Sequence, residues 1–294
     1  VLVIHGIAIR GSDRFERMVS KLNEALGDHV RLVPVYWGDL GASADHLEAL
    51  MGREAVQSAH GGEMVADAMR GTVASGVGRT LSWLQHQFGE PDQAKLTRAV
   101  GSQIRKRSYR RMRGYLNDRF QRVRLLLTSA VLPVMADTIV YQSPIQRHAI
   151  HQRVRETIAE KLPGYGTPDR PIDVIGHSLG GVIAFDMAVA NPQDHAAGPL
   201  HINRLVTLGS QVSLFHVLDP RPGVLQRYEG QRVRLPTTIG DWRNIWDVYD
   251  MLGFSADQVF QMHDGSLPKE VAVRCYFTAL EGAAFFQSHV GYWQ

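Results

Sequence analysis

Five short apolar runs frame this chain: VLVI (1–4), RLVPVYW (31–37), IDVI (172–175), RLVTL (204–208) and NIWDV (244–248), bounded by Gly, Pro or Asp. Apolar runs this short read as strands buried on both faces, as in parallel sheets. Between them lie helical patterns. Arg14 to Leu26 follows the first run, Ile145 to Leu162 precedes the third, and Leu179 to Ala190 follows it. Alternation of this kind predicts an α/β fold with a doubly wound, mostly parallel sheet. At 294 residues with 44% hydrophobic content, the chain has ample apolar side chain for one such domain over 1–294.

One connection is too long for a simple crossover. Roughly 130 residues separate the second and third runs, where a strand–helix–strand unit needs far fewer. The stretch from about 41 to 128, rich in Ala, Leu, Met, Gln and Arg with breaks at Gly61-Gly62, Gly71 and Gly89-Glu90-Pro91, reads as a helical cap inserted into the domain. Within it, Arg98 to Arg124 carries ten Lys or Arg residues against the single acid Asp118, and an apolar block, Leu125 to Val134, follows. The combination is expected either to meet anionic lipid head groups through 98–127 or to form the solvated basic face of an ordinary cap. Nucleic acid is not expected as a partner, because only Tyr109, Tyr115 and Phe120 interleave with the basic residues. Leu125 to Tyr141 is interrupted by Pro133 and Asp137 and is too short for a membrane span.

The chemistry is concentrated in Gly176-His177-Ser178-Leu179-Gly180-Gly181, directly after one strand and before a helix. A serine on so sharp a turn is held with its hydroxyl exposed, and the flanking glycines are needed where side chains would collide with neighbouring backbone. Ser178 is therefore the candidate nucleophile. The helix that starts there aims unpaired N–H groups at a developing oxyanion, Leu179 first. A second donor is expected after Val1 to Ile4, where His5-Gly6 leads to the Ile7 N–H. A phosphate-cradling loop built from His5-Gly6 and Gly11-Ser12 is the alternative, but neither Gly-Lys-Ser/Thr nor G-x-G-x-x-G follows.

A base and an acid must come later in the chain. His289, in Gln287-Ser288-His289-Val290-Gly291, follows the last strand-like run, Val271 to Phe277, and is the preferred base, with His263 next. For the acid, Asp250 and Asp247 are the two candidates. Asp250 is preferred because the loop just past a strand's carboxyl end is where such a sheet presents functional groups.

With these residues assembled, the chain resembles lipase/esterase-like α/β-hydrolases. The resemblance is carried by His5-Gly6, Gly176 to Gly181, Leu208-Gly209-Ser210-Gln211, Trp-x-Asn-x-x-Asp-x-x-Asp (242–250), and Ser288-His289 with Tyr292-Trp293. Such hydrolases often have Asp-Pro at the acid, whereas Met251 follows Asp250 here. The resemblance implies a serine hydrolase cleaving carboxylic esters, with lipid or another apolar acyl ester preferred. A thioesterase or acyltransferase would use the same residues, and a non-catalytic scaffold binding membrane or a partner is the reading from another class.

No cofactor is implied. HExxH, paired Cys/His and EF-hand patterns are absent from the sequence, and His46, His60, His148 and His151 form no ligand spacing. The single cysteine, Cys275, excludes an internal disulfide and reads as a core residue. With no basic leader ahead of Val1, a cytoplasmic location is expected, although a first residue other than Met is compatible with a removed segment.

Overall fold

Leu2–Ile4 (β1) sits inside a six-stranded sheet whose strand pairs are all parallel. The computed structural model describes residues 1–7, 9, 11–27, 30–43, 135–191, 198–218, 225–248, 250–273, 289 and 292. By its internal contacts the chain divides into two units. One comprises Val1–Ser43, Pro133–Tyr276 and Phe285–Gln294; the other, Ala44–Leu132 with Phe277–Ala284, lies outside the described residues. So do all but the first three residues of the insertion expected at 41–128, the basic stretch 98–124 and Cys275.

In chain order the first unit contains β1, α1 (Ser12–Leu26), β2 (Val33–Val35), α2 (Pro144–Lys161), β3 (Ile172–His177), α3 (Leu179–Ala188), β4 (Ile202–Leu208), α4 (Val212–Leu218), β5 (Val233–Arg234), β6 (Ile239–Asp247), β7 (Phe260–Gln261) and β8 (Lys269–Val273). The sheet order is β2-β1-β3-β4-β6-β8, and β5 pairs with β7 in a separate two-stranded ladder. All five apolar runs of the sequence fall on strands of the large sheet. The last strand among the described residues is β8, Lys269–Val273, which takes in the start of the expected run 271–277; residues 274–277 are not described.

Side-chain alternation explains how both faces are covered. On β1, Leu2 and Ile4 point into the larger core and Val3 into the smaller one. Phe15 and Val19, one helical turn apart on α1, join Val3 and close that second face. On the other face α2 contributes the stripe Ile150, Val154 and Ile158, and every residue of α3 except Asp186 is buried. An α3 so apolar all round can only be a central element.

The strand order places the site. From β1 the chain moves outward to β2, then returns to β3 on the opposite side of β1. Such a reversal leaves a crevice beyond the carboxyl ends of the two central strands. The residues at those carboxyl ends are His5-Gly6 after β1 and Ser178 after β3. Among the described residues no helix is long and apolar enough to cross a membrane.

Candidate active site

Ser178 links β3 to α3 with φ 54° and ψ −126°, the one non-glycine residue with positive φ among the described residues. A conformation of this kind costs about 1–3 kcal/mol and persists only where surrounding bonds enforce it. Here they do. The Ser178 N–H donates to the Leu208 carbonyl of β4 at 2.9 Å, and the Ser178 carbonyl accepts from the Ser210 hydroxyl at 2.8 Å and from the Gly181 N–H at 3.0 Å. Leu208-Gly209-Ser210 thus clamps the serine from the neighbouring strand.

Three side chains distant in sequence meet at this turn. His289 Nε2 lies 2.9 Å from Ser178 Oγ. On its other side His289 Nδ1 lies 2.9 and 3.0 Å from the two carboxylate oxygens of Asp250. Ser178, His289 and Asp250 are 0%, 6% and 5% exposed, so the hydrogen bonds between them act with little screening by water. The two Asp250 contacts settle the tautomer. With Nδ1–H donating to a carboxylate, Nε2 is left as an acceptor for the serine hydroxyl.

The carboxylate is itself held. Asp250 Oδ1 accepts from the Leu252 N–H at 2.9 Å and Oδ2 from the Tyr292 hydroxyl at 2.9 Å. Tyr292 in turn accepts the Asp247 N–H at 2.8 Å, tying the acid to the end of β6. Burial, followed by the Asp250 charge, raises the Tyr292 pKa, so this hydroxyl remains a donor. The Trp-x-Asn portion of the 242–250 segment supports the same loop. Trp242 Nε1 donates to Thr207 on β4, Thr207 donates to Asn244 Oδ1, and Asn244 Nδ2 reaches the Phe254 carbonyl at 2.8 Å.

Asp247, the alternative acid, is fully buried at the last position of β6, but the oxygens on His289 belong to Asp250. His263, the alternative base, is exposed on the turn after β7, and the imidazole on Ser178 Oγ is that of His289. Leu179 is the first residue of α3, where an N–H has no intrahelical acceptor. A Cβ added at Gly6 would lie 2.6 Å from Ser178 Cβ, so the loop leading to Ile7 passes directly over the serine. His5 fixes that loop: its ring stacks on Trp37 at 4.9 Å, Nε2 accepts the Trp37 N–H at 3.1 Å, and its carbonyl accepts Trp37 Nε1 at 2.9 Å. Among the described residues no group of three or more His, Cys, Asp or Glu side chains is placed to hold a metal ion.

Two neighbours of the serine stand in motifs quoted from the sequence, where no role was assigned to them. Gln211, after the β4 clamp, has Oε1 3.5 Å from Ser178 Oγ. His177 donates from Nε2 to the His289 carbonyl at 2.8 Å, with the rings 5.1 Å apart. Burial, then the adjacent His289, drives the His177 pKa from its ordinary 6.5 down to about 3. Between those values the unfolded chain takes up a proton at this ring and the folded protein does not, so falling pH favours unfolding. Above the ordinary value the effect is absent. The stability of wild type relative to His177→Gln is therefore expected to fall as pH drops from about 7 to about 4.5, read from urea midpoints.

Comparison of the chain with protein-family models, with curated proteins and with solved structures finds no match in any of the three.

Proposed function

We propose that this protein is a serine hydrolase of the α/β-hydrolase type that cleaves carboxylic esters through an acyl-enzyme. One observation carries the reading: an unbroken hydrogen-bonded chain from Ser178 Oγ through His289 to Asp250, at 2.9 Å and 2.9–3.0 Å, on a strained serine at the strand-order reversal of a parallel sheet. A structural serine has no need of this arrangement, which stores strain and buries a titratable pair beside it.

The chemistry follows from the geometry. His289 Nε2 takes the Ser178 proton as Oγ attacks the ester carbonyl, and the imidazolium so formed is stabilised by Asp250. The oxyanion is received by the Leu179 and Ile7 N–H groups. His289 then protonates the leaving alkoxide, water attacks the acyl-enzyme by the same route, and the carboxylic acid leaves. Lipid or another apolar acyl ester is the substrate class we favour, with the inserted segment acting as a cap whose basic stretch 98–127 forms either its solvated face or a contact with anionic head groups. Thioester hydrolysis and acyl transfer would engage the same residues.

Hydrolysis of p-nitrophenyl esters of graded chain length tests the reading. Wild type is expected to release p-nitrophenol with a preference for longer acyl chains, and Ser178→Ala to lower kcat by about 10⁴-fold or more. Equal turnover by folded Ser178→Ala would reject Ser178 as the nucleophile.

A further inference from the structure

Gln211 is a buried amide, 6% exposed, beside the nucleophile and outside the Ser178–His289–Asp250 chain. Its orientation is dictated by its surroundings. Nε2 lies 3.0 Å from the Gly209 carbonyl and 2.7 Å from the Leu252 carbonyl, two acceptors that together engage both amide hydrogens. A flipped amide would set its oxygen against those two carbonyls. Oε1 must therefore face Ser178 Oγ, at 3.5 Å.

That oxygen has no strong claim on the serine. The hydroxyl has one hydrogen, and His289 Nε2 at 2.9 Å is the shorter and better acceptor. Once Ser178 is acylated, the hydroxyl hydrogen is gone altogether. What remains is a rigid carbonyl acceptor within reach of the reacting oxygen, alongside a basic nitrogen.

Resting on the serine-hydrolase reading, we propose that Gln211 selects water over alcohols as the acyl acceptor by accepting the second hydrogen of the attacking water. In deacylation the water oxygen bonds to the acyl carbon while one proton passes to His289 Nε2. The other O–H is not transferred and points at Gln211 Oε1. The tetrahedral adduct then collapses with loss of the bond to Ser178 Oγ, which regains the proton from His289 as the carboxylic acid departs. An alcohol has a single O–H, and His289 uses it. The Gln211 contact is therefore available to water alone, and it biases a shared acyl-enzyme toward hydrolysis rather than acyl transfer.

The test is the product ratio from p-nitrophenyl butyrate in aqueous methanol, butyric acid against methyl butyrate, with total p-nitrophenol as the measure of acylation. Both products come from one intermediate, so a residue that merely holds the fold changes the total and leaves the ratio alone. Gln211→Met, which keeps the shape and removes the acceptor, is expected to lower the acid-to-ester ratio about fivefold, the worth of one hydrogen bond. Gln211→Leu, which removes the acceptor with a differently shaped apolar side chain, is expected to lower the ratio by a similar factor. An unchanged ratio in either variant would overturn the inference alone. Absence of p-nitrophenol release by wild type would overturn the hydrolase reading and this inference with it.

Discussion

Asp250→Asn is expected to lower kcat/KM for an ester by about 10⁴-fold, while Asp247→Asn in its folded form changes it by less than about tenfold. The first effect has two sources. Both Asp250 oxygens already accept a donor besides His289, from the Leu252 N–H and the Tyr292 hydroxyl. An amide has one oxygen, so one of those donors would face an NH₂ group and the side chain would turn away from Nδ1. The substitution also removes the negative charge that stabilises the imidazolium. At 247 it is the backbone N–H that enters the network, through Tyr292, and asparagine keeps that group. Steady-state kinetics on both variants, with folding checked by circular dichroism, decides the matter. A larger loss in Asp247→Asn would reverse the assignment of the acid.

Gly180→Ala is expected to destabilise the protein by about 3 kcal/mol, lowering the melting temperature by about 5–10 °C. A Cβ at this position would meet the Ile4 carbonyl oxygen at 2.2 Å and the His5 carbonyl oxygen at 2.6 Å. Both obstacles are backbone, so no rotamer change relieves the clash. α3 would have to lift away from β1, the strand that carries the Gly6 loop over Ser178. A loss of ester turnover at temperatures where the variant is still folded is the expected companion effect. A melting temperature within about 1 °C of wild type in a thermal scan would show that α3 does not lie on β1 as described.

What the sequence made readable was the periodic part. VLVI, IDVI and RLVTL announced β1, β3 and β4 because apolar residues dominate each, as expected of strands inside a sheet covered on both faces. The β5 and β7 pair, two residues each, is too short to carry any period, and α4 at seven residues is hidden in the Ser210 to Leu218 stretch. β6 begins at Ile239, ahead of the apolar run at 244–248, since Asp241 and Arg243 break its pattern.

Within the site, Ser178 was readable because its turn is local: a strand, glycines and a helix in one stretch of chain. The acid was readable as a preference for Asp250 over Asp247 from its place past the strand, but its hold on His289 was not, because that depends on how the chain turns after β6. That turn is set by the Asp250 N–H bonded to the Asp247 carbonyl at 3.0 Å and by Tyr292, 42 residues away. The role of Gln211 was unreadable for the same reason. Its direction depends on a carbonyl of the acid loop, Leu252, which no pattern around residue 211 reports.

The central claim, that Ser178 is an activated nucleophile, is tested most directly by treating the purified protein with a fluorophosphonate and locating the adduct by mass spectrometry of its peptides. A single adduct on Ser178, absent from Ser178→Ala and strongly reduced in His289→Ala, is the predicted result. Folded wild type that takes no label, or takes it equally in Ser178→Ala, would contradict it.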